Sequence, residues 1–508
     1  MKKLLALLCS TALSITLCAA AHADETAITI YSRAQPGAVD PSLYRPIPGQ
    51  QTGYTGLSVP GYAIVRQTRE IQLPAAMNSV QFSDVAALLD PTTVQFKSLT
   101  SPKNTKVTEQ NYQFDLVSQQ KLLEKYIDKT ITVEKTAGDK TQAVEGTLLS
   151  TDGGLTLKNA SGGIQSIANY ASVSFPDLPG QLITRPTLVW NITTGSPGTH
   201  KSEVSYQTQG ITWWADYNLI YKEGKEANSG TVDVSSWVSI INQTGAGFKN
   251  AKLKLMAGDV QTVASARQIG ATRAMMLKEM DAGAAAPAFA EKAFFEYHLY
   301  TLDTPVDLPD NSTKQLELIP AVADVPVEKT LVFAGNTHYG YGGGIYIDQG
   351  YGSETAKKKV DVFLKLKNKK ELGLGVPLPA GRMRVNQRDD DGSLEFIGEN
   401  TIGHTPRNEE VSIKLGSAFD VVGERKQTDY KLDTARKMAD EDITITIRNQ
   451  KNKPVKVKVV ESMYRSAQWQ ITESSQEPTK DHSSQVSWLL EVPPEKEKTV
   501  RYRVHYSW

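Results

Sequence analysis

A two-residue hydrophobic period recurs along this chain and constrains its fold more than any other feature. Between residues 442 and 449, Ile443, Ile445 and Ile447 share one face, and Thr444, Thr446 and Arg448 share the other. Over 455–459 three valines alternate with Lys456 and Lys458. At the C-terminus Val500, Tyr502, Val504, Tyr506 and Trp508 alternate with Arg501, Arg503, His505 and Ser507. Successive side chains of a strand point to opposite faces, so such segments bury one face and wet the other, as antiparallel sheets do. Turn signals separate the runs: Asp152-Gly153-Gly154, Asp391-Gly392 and Asn452-Lys453-Pro454. The strand–helix rhythm of a parallel sheet is absent. The expected fold class is mainly β: immunoglobulin-like antiparallel β-sandwich domains with an inserted SH3/Sm-like small barrel.

A chain of 508 residues has room for about three domains. The expected divisions are an N-terminal targeting segment, 1–23; a β segment, 24–115, packing with the sandwich that follows the insert; a helix plus small barrel, 116–178; a β-sandwich, 179–330, with a mobile loop at 261–293; and a C-terminal β-sandwich, 331–508. Three segments read as strand, Asn, polar turn, strand, ending at Asn242, Asn368 and Asn449. Asparagine suits a strand exit because its side chain can bond the turn backbone. The unequal spacings argue for repeated sandwich hairpins rather than a solenoid or propeller. One short helix is expected at 118–127, capped by Ser118, with Leu122, Leu123, Tyr126 and Ile127 on its apolar face. Short strands are expected after it at 130–135, 145–150, 155–158, 163–168 and 171–175. Residues 145–157 are similar to the first Sm signature, but Gly153 follows Asp152 where that pattern has Asn. A proline-, tyrosine- and glycine-rich stretch, 34–60, follows or interrupts the first strand.

Lys2 and Lys3, the apolar run 4–17 and Ala21-His22-Ala23 form a cleavable export signal. Cleavage after Ala23 places the mature protein in the periplasm or outside the cell. Leu17 before Cys18 is too bulky for lipid-linked processing. Both cysteines, Cys9 and Cys18, leave with the signal. The mature chain therefore has no thiol chemistry and no disulfide, which avoids mispairing in an oxidising compartment. No later stretch holds 18 apolar residues, so no membrane-spanning helix is expected.

Lys plus Arg equals Asp plus Glu, at 56 each, so the chain lacks the basic excess of a nucleic-acid binder. Asp389-Asp390-Asp391-Gly392 suggests a calcium loop, but Gln387 and Gly398 stand where its first and last ligands belong. A hairpin turn explains the run. The mature histidines, His200, His298, His338, His404, His482 and His505, lack metal-site spacing, and His298 reads as a strand residue. Gly416-Ser417-Ala418-Phe419 lacks the second glycine of a nucleophile elbow. The glycines at 340–344 open no helix, so they form no dinucleotide fingerprint. No catalytic, metal or cofactor-binding residue is assigned and no cofactor is expected. Trp213 and Trp214 read as core. The closing aromatic strand is reminiscent of outer-membrane barrels, but charge-rich strands such as 455–459 cannot form a lipid-facing band.

Residues 335–352 hold seven glycines interleaved with Tyr339, Tyr341, Tyr346 and Tyr351. Glycines raise the entropy cost of ordering a loop. Tyrosines present a flat apolar face and a hydroxyl, which suits protein surfaces and sugars. The four tyrosines are the candidate partner-contact residues, expected to add little to stability.

Several stretches form a pattern by their order: 211–217 (ITWWADY), 297–300 (YHLY), 375–381 (GVPLPAG), 416–421 (GSAFDV) and the closing 502–508. Together they resemble bacterial exported proteins that share the domain of unknown function at the C-terminus of mucoidy inhibitor A-type proteins. The resemblance covers most of 181–508, with a weaker match through 26–115. It implies β-sandwich architecture and an envelope location, and it brings no catalytic residues. Members of the mucoidy inhibitor type have a coiled coil where this chain has its expected small barrel. The leading expectation is an exported, non-enzymatic β-sandwich protein that binds an envelope protein or an exopolysaccharide. The rival is a carbohydrate-active hydrolase with paired carboxylates on a sandwich face.

Overall fold

The computed structural model describes residues 25–508 apart from 36, 38, 45–58, 84, 138–139, 180–181, 227, 259, 261–288, 337–344 and 352–355. The export segment, most of the expected mobile loop, and Tyr339 and Tyr341 lie outside the described residues. The described residues are mainly β, in sheets of thirteen, eight, five and three strands. Among the described residues no helix is long and apolar enough to cross a membrane.

The two-residue period sets the burial. In the strand Met438–Asn449 every second residue from Ala439 to Asn449 is buried, with Ile443, Ile445 and Ile447 in the core. In Val455–Ser462 the three valines point inward, and in Glu497–Ser507 Val500, Tyr502, Val504 and Tyr506 do so. Trp508 stands one residue past its strand and is half-buried.

Two large apolar clusters result. The first gathers Ile28, Trp190, Trp213, Tyr217, Leu253 and many others between the eight-, three- and thirteen-stranded sheets. Trp190, fully buried, meets Phe82 at 4.6 Å and Phe96 at 5.2 Å between ring centres. The second contains Phe333, Val421, Ile445, Val457, Trp488 and Val504.

Three strands run through both clusters. Ser312–Ala334 gives Leu318, Val325 and Val327 to the first and Leu331 and Phe333 to the second. Ala356–Lys367 gives Leu364 and Leu366 to the first and Val360 to the second. Glu410–Asp433 gives Val411 and Ile413 to the first and Val421 to the second. Leu374, Leu378, Met383 and Val385 likewise belong to the first cluster, although they follow residue 330. The three strands are neighbours in one sheet, so a hydrogen-bonded ladder, not a linker, joins the two cores. Gly423, in the third strand, lies under the Phe333 ring, where any Cβ would overlap it.

The segment between the two halves of the first core has the expected helix and five short strands, with ends shifted by a few residues. The helix is Gln119–Lys125, and Ser118 accepts a hydrogen bond from the Lys121 amide at 3.2 Å. Strands follow at Thr130–Ala137, Lys140–Ser150, Leu155–Lys158, Ile164–Ile167 and Ser172–Ser174. They enclose a separate core of Leu123, Tyr126, Val133, Leu148 and Leu157. Ile164–Ile167 and Ser172–Ser174 are the two edges of this sheet and do not pair, so it stays open. No closed barrel occurs among the described residues.

The three strand-exit asparagines make matching contacts. Asn242 Nδ2 donates to the carbonyls of Ala246, Leu308 and Pro309 at 2.9–3.1 Å, and its Oδ1 accepts from the Thr244 amide. Asn449 Nδ2 donates to Lys453, Val492 and Pro493, and its Oδ1 accepts from the Lys451 amide. Asn368 Nδ2 donates to two carbonyls, of Val376 and Pro406, and its Oδ1 accepts from the Gly375 amide. All three are at most 1% exposed. Each joins its own turn to a distant proline-bearing turn, and its loss strands buried carbonyls. Asn242→Ala, Asn368→Ala and Asn449→Ala should each lower stability in urea by about 1–3 kcal/mol. Asn→Asp should be no better, because a carboxylate cannot donate to the waiting carbonyls.

Candidate functional site

At one end of the second core the buried strand positions change from apolar to charged. Glu441 is in phase with Ile443, Ile445 and Ile447, and Glu461 with Val455, Val457 and Val459. Arg425 is in phase with Val421 and Gly423. Arg465 follows the strand Val455–Ser462 in a short connection and also turns inward. All four side chains are at most 2% exposed.

They form two ion pairs. Arg425 Nε donates to Glu461 Oε2 at 2.9 Å, and the Tyr502 hydroxyl donates to the same oxygen at 2.6 Å. Arg465 meets both oxygens of Glu441 at 3.3 Å. The Tyr464 hydroxyl and the Gln427 amide also donate to Glu441, at 2.7 and 3.0 Å. Burial alone disfavours the charge on Arg425, but Glu461 and the surrounding groups outweigh it and hold the guanidinium above its ordinary range. Burial, and then the neighbouring carboxylates, push the hydroxyls of Tyr464, Tyr502 and Tyr506 up. These tyrosines stay protonated at neutral pH, and Tyr464 and Tyr502 act as donors to the carboxylates. Glu461 Oε1 accepts no hydrogen bond from the described residues. It lies against Gly335, where a Cβ would overlap it.

The outer ion pair holds a loop. Arg465 donates to the main-chain carbonyls of Tyr346 (3.1 Å), Asp348 (2.7 Å), Gln349 (3.5 Å) and Tyr351 (2.8 Å). Its guanidinium lies over the Tyr430 ring at 4.5 Å, and the Tyr430 hydroxyl donates to the Ile347 carbonyl at 2.6 Å. Tyr346 and Tyr351 stack at 4.3 Å with 7° between their planes, and Tyr351 leans on Tyr464. Two of the four tyrosines singled out in the sequence are therefore brought together. They are half-buried in a packed aromatic group rather than loose at a hairpin tip. The reason is Arg465, over 100 residues away in sequence. Ile345 and Ile347 remain 46% and 43% exposed on the same segment.

The described residues bury three carboxylates, Asp216, Glu441 and Glu461, and each faces arginine. These charges fix backbone and side chains in place. Asp389, Asp391 and Gly392 form a tight turn between Gly381–Arg388 and Leu394–Ile402, with the Gly392 amide bonded to the Asp389 carbonyl. His298 bonds Glu291 on the adjacent strand at 2.7 Å. Trp213 and Trp214 are core, at 2% and 7% exposure.

This is a mainly β chain whose second core ends in paired buried charges under a clamped loop. It belongs to the family described as Domain of unknown function (DUF4139), whose model matches residues 202–508. That match covers the second core, the three shared strands and the clamp. No curated protein matches the chain.

Removing one member of a buried pair leaves a stranded charge. Arg425→Met should cost about 3–5 kcal/mol in urea unfolding, and adding Glu461→Leu should recover much of that loss. Arg465→Lys keeps the charge but loses the planar fork. It should raise amide hydrogen exchange across 345–351 well before the strands of the second core lose protection.

Proposed function

We propose that this chain is an exported, non-enzymatic protein of the cell envelope. In this reading it is built of immunoglobulin-like sandwiches, with the five-stranded unit as a partly open SH3/Sm-like insert. It works by presenting the segment 345–351 to an envelope protein. The observation that carries the reading is the Arg465 clamp. Four carbonyls bonded to one buried guanidinium hold the backbone in a single course, while Ile345 and Ile347 stay in water. A loop ordered before it binds avoids the entropy cost of ordering on contact. Exposed isoleucines offer apolar area and no side-chain hydrogen bonds, which favours a protein surface over a sugar. The resemblance to mucoidy inhibitor A-type proteins and the export signal support an envelope location. The buried carboxylates support a structural rather than a hydrolytic use of charge, because each is neutralised by arginine.

Exchanging both Ile345 and Ile347 for Ser should abolish capture of the partner after crosslinking in intact cells. The unfolding midpoint should hardly move, since exposed substitutions usually stay within about 0.5 kcal/mol. Tyr351→Ser removes part of the stack and should lower the midpoint. Full capture by the double isoleucine variant would overturn the reading.

A further inference from the structure

The outer face of the thirteen-stranded sheet carries a second surface, remote from the clamp in sequence. In the strand Ser229–Asn242, Trp237 is the only exposed residue, at 40%. This strand is paired on both sides, to Ile211–Glu223 and to Ser312–Ala334. Register places Asp216 beside Trp237 on one side and Glu317 on the other, with Arg382 beyond Asp216. Paired residues share a face, so Arg382, Asp216, Trp237 and Glu317 form one row across four strands. Such a row spans about 14–15 Å at the usual strand spacing. Asn218 and Arg384 stand in the next row.

The chemistry of this row is mixed and close to neutral. Asp216 is nearly buried and takes hydrogen bonds from Trp214 Nε1 at 2.7 Å and from Arg382 and Arg384 at 3.3–3.4 Å. Arg384 also meets Glu399 at 3.4 Å. The carboxylate fixes both guanidinium groups, which stay partly exposed and have N–H donors beyond those it takes. The exposed Glu317 is an acceptor, and the Asn218 side chain is both donor and acceptor. The two arginines are balanced by Asp216, Glu317 and Glu399, so the face selects against a polyanion. Beside it the sheet is covered: Trp214 and Ile241 lie under Val39, Leu43 and Tyr44, and Tyr44 meets Trp214 at 5.5 Å. That covering ends before Trp237 and gives the open face a wall.

We infer that this face binds a neutral polysaccharide. A pyranose ring has an apolar C–H face that lies flat on an indole, and a rim of hydroxyls that needs donors and acceptors together. A flat indole, with guanidinium groups held by Asp216 and an amide and a carboxylate within one or two strand spacings, supplies both. The inference stands apart from the isoleucine loop, and the two fail independently.

The test is native affinity electrophoresis of the full chain in gels containing dextran, galactomannan or hydroxyethyl cellulose, with alginate as the anionic control. At least one neutral polymer should retard the protein. Trp237→Ala should weaken that retardation about tenfold or more, as loss of a central aromatic anchor does. Trp237→Phe should retain part of it, and Asn218→Ala should weaken it less. The double isoleucine variant should bind like the parent. A melting curve on each variant establishes that it is folded. The inference is overturned if no neutral polymer retards the folded protein, if Trp237→Ala binds like the parent, or if alginate alone retards it. It is also overturned if a photoreactive residue in place of Asn218 crosslinks to a protein in cells and to no polymer.

Discussion

Continuity of three strands governs this molecule. Ser312–Ala334, Ala356–Lys367 and Glu410–Asp433 each leave one hydrophobic core and enter the next as a single strand, with register shifts along their pairing. Sliding or bending one core against the other would break backbone hydrogen bonds in adjacent ladders together. Pro320 falls where the pairing of Ser312–Ala334 with Ser229–Asn242 shifts register, and Pro326 pairs with Thr231 one residue before the strand Ala356–Lys367 joins on the other side at Val327. A strand proline is accommodated at such irregularities. Another shift, at Val362/Phe363, lies between Val360 of the second core and Leu364 of the first.

The paired charges depend on the same continuity. Arg425 lies on one of the shared strands, and Gly335 directly follows another. Glu461 is on Val455–Ser462, which pairs in parallel with the end of Ser312–Ala334. Parallel pairing within an otherwise antiparallel region brings Glu461 under Gly335, whose amide donates to the Val460 carbonyl at 3.0 Å. Close approach of a carboxylate to backbone leaves no room for a side chain there. The ion pairs thus fix how the last shared strand meets the second core, and Arg465 extends that order to the loop above.

Local physics made much of this legible in the sequence. The helix cap at Ser118 and the strand Leu155–Lys158 followed from capping chemistry and periodicity within a few residues. The asparagine echo was visible as a pattern, and the bonding of each side chain to two or three carbonyls is the physical content of that pattern. The charged end of the second core was legible in principle. Carrying the two-residue period one step beyond Ile443 and Val459 puts Glu441 and Glu461 inside. The alternating runs recognised in the sequence stop at 442 and 459 and do not reach them. The partners Arg425 and Arg465 could not be read, because their pairing depends on register between distant strands. Tyr346 and Tyr351 stood out by composition, but the clamp that orders them lies over 100 residues later. Trp237 was hidden in the opposite way. It sits in a strand with the expected parity, and only the placement of Asp216, Glu317 and Arg382 beside it gives its exposure meaning.

The strand Ser312–Ala334 also works as a ruler. Glu317, beside Trp237, and Ala334, beside Gly335, lie 17 residues apart on it, which is at most about 56 Å of extended chain. The glycan face lies along this strand and the isoleucine loop is held by Arg465 near its end, so the two are kept at a set separation. A ligand that engages one surface gains at the other only if its own geometry spans that interval; a mismatched one gains nothing. Avidity here would be an all-or-nothing property of spacing, and the molecule would respond to how envelope components are arranged as well as to whether they are present.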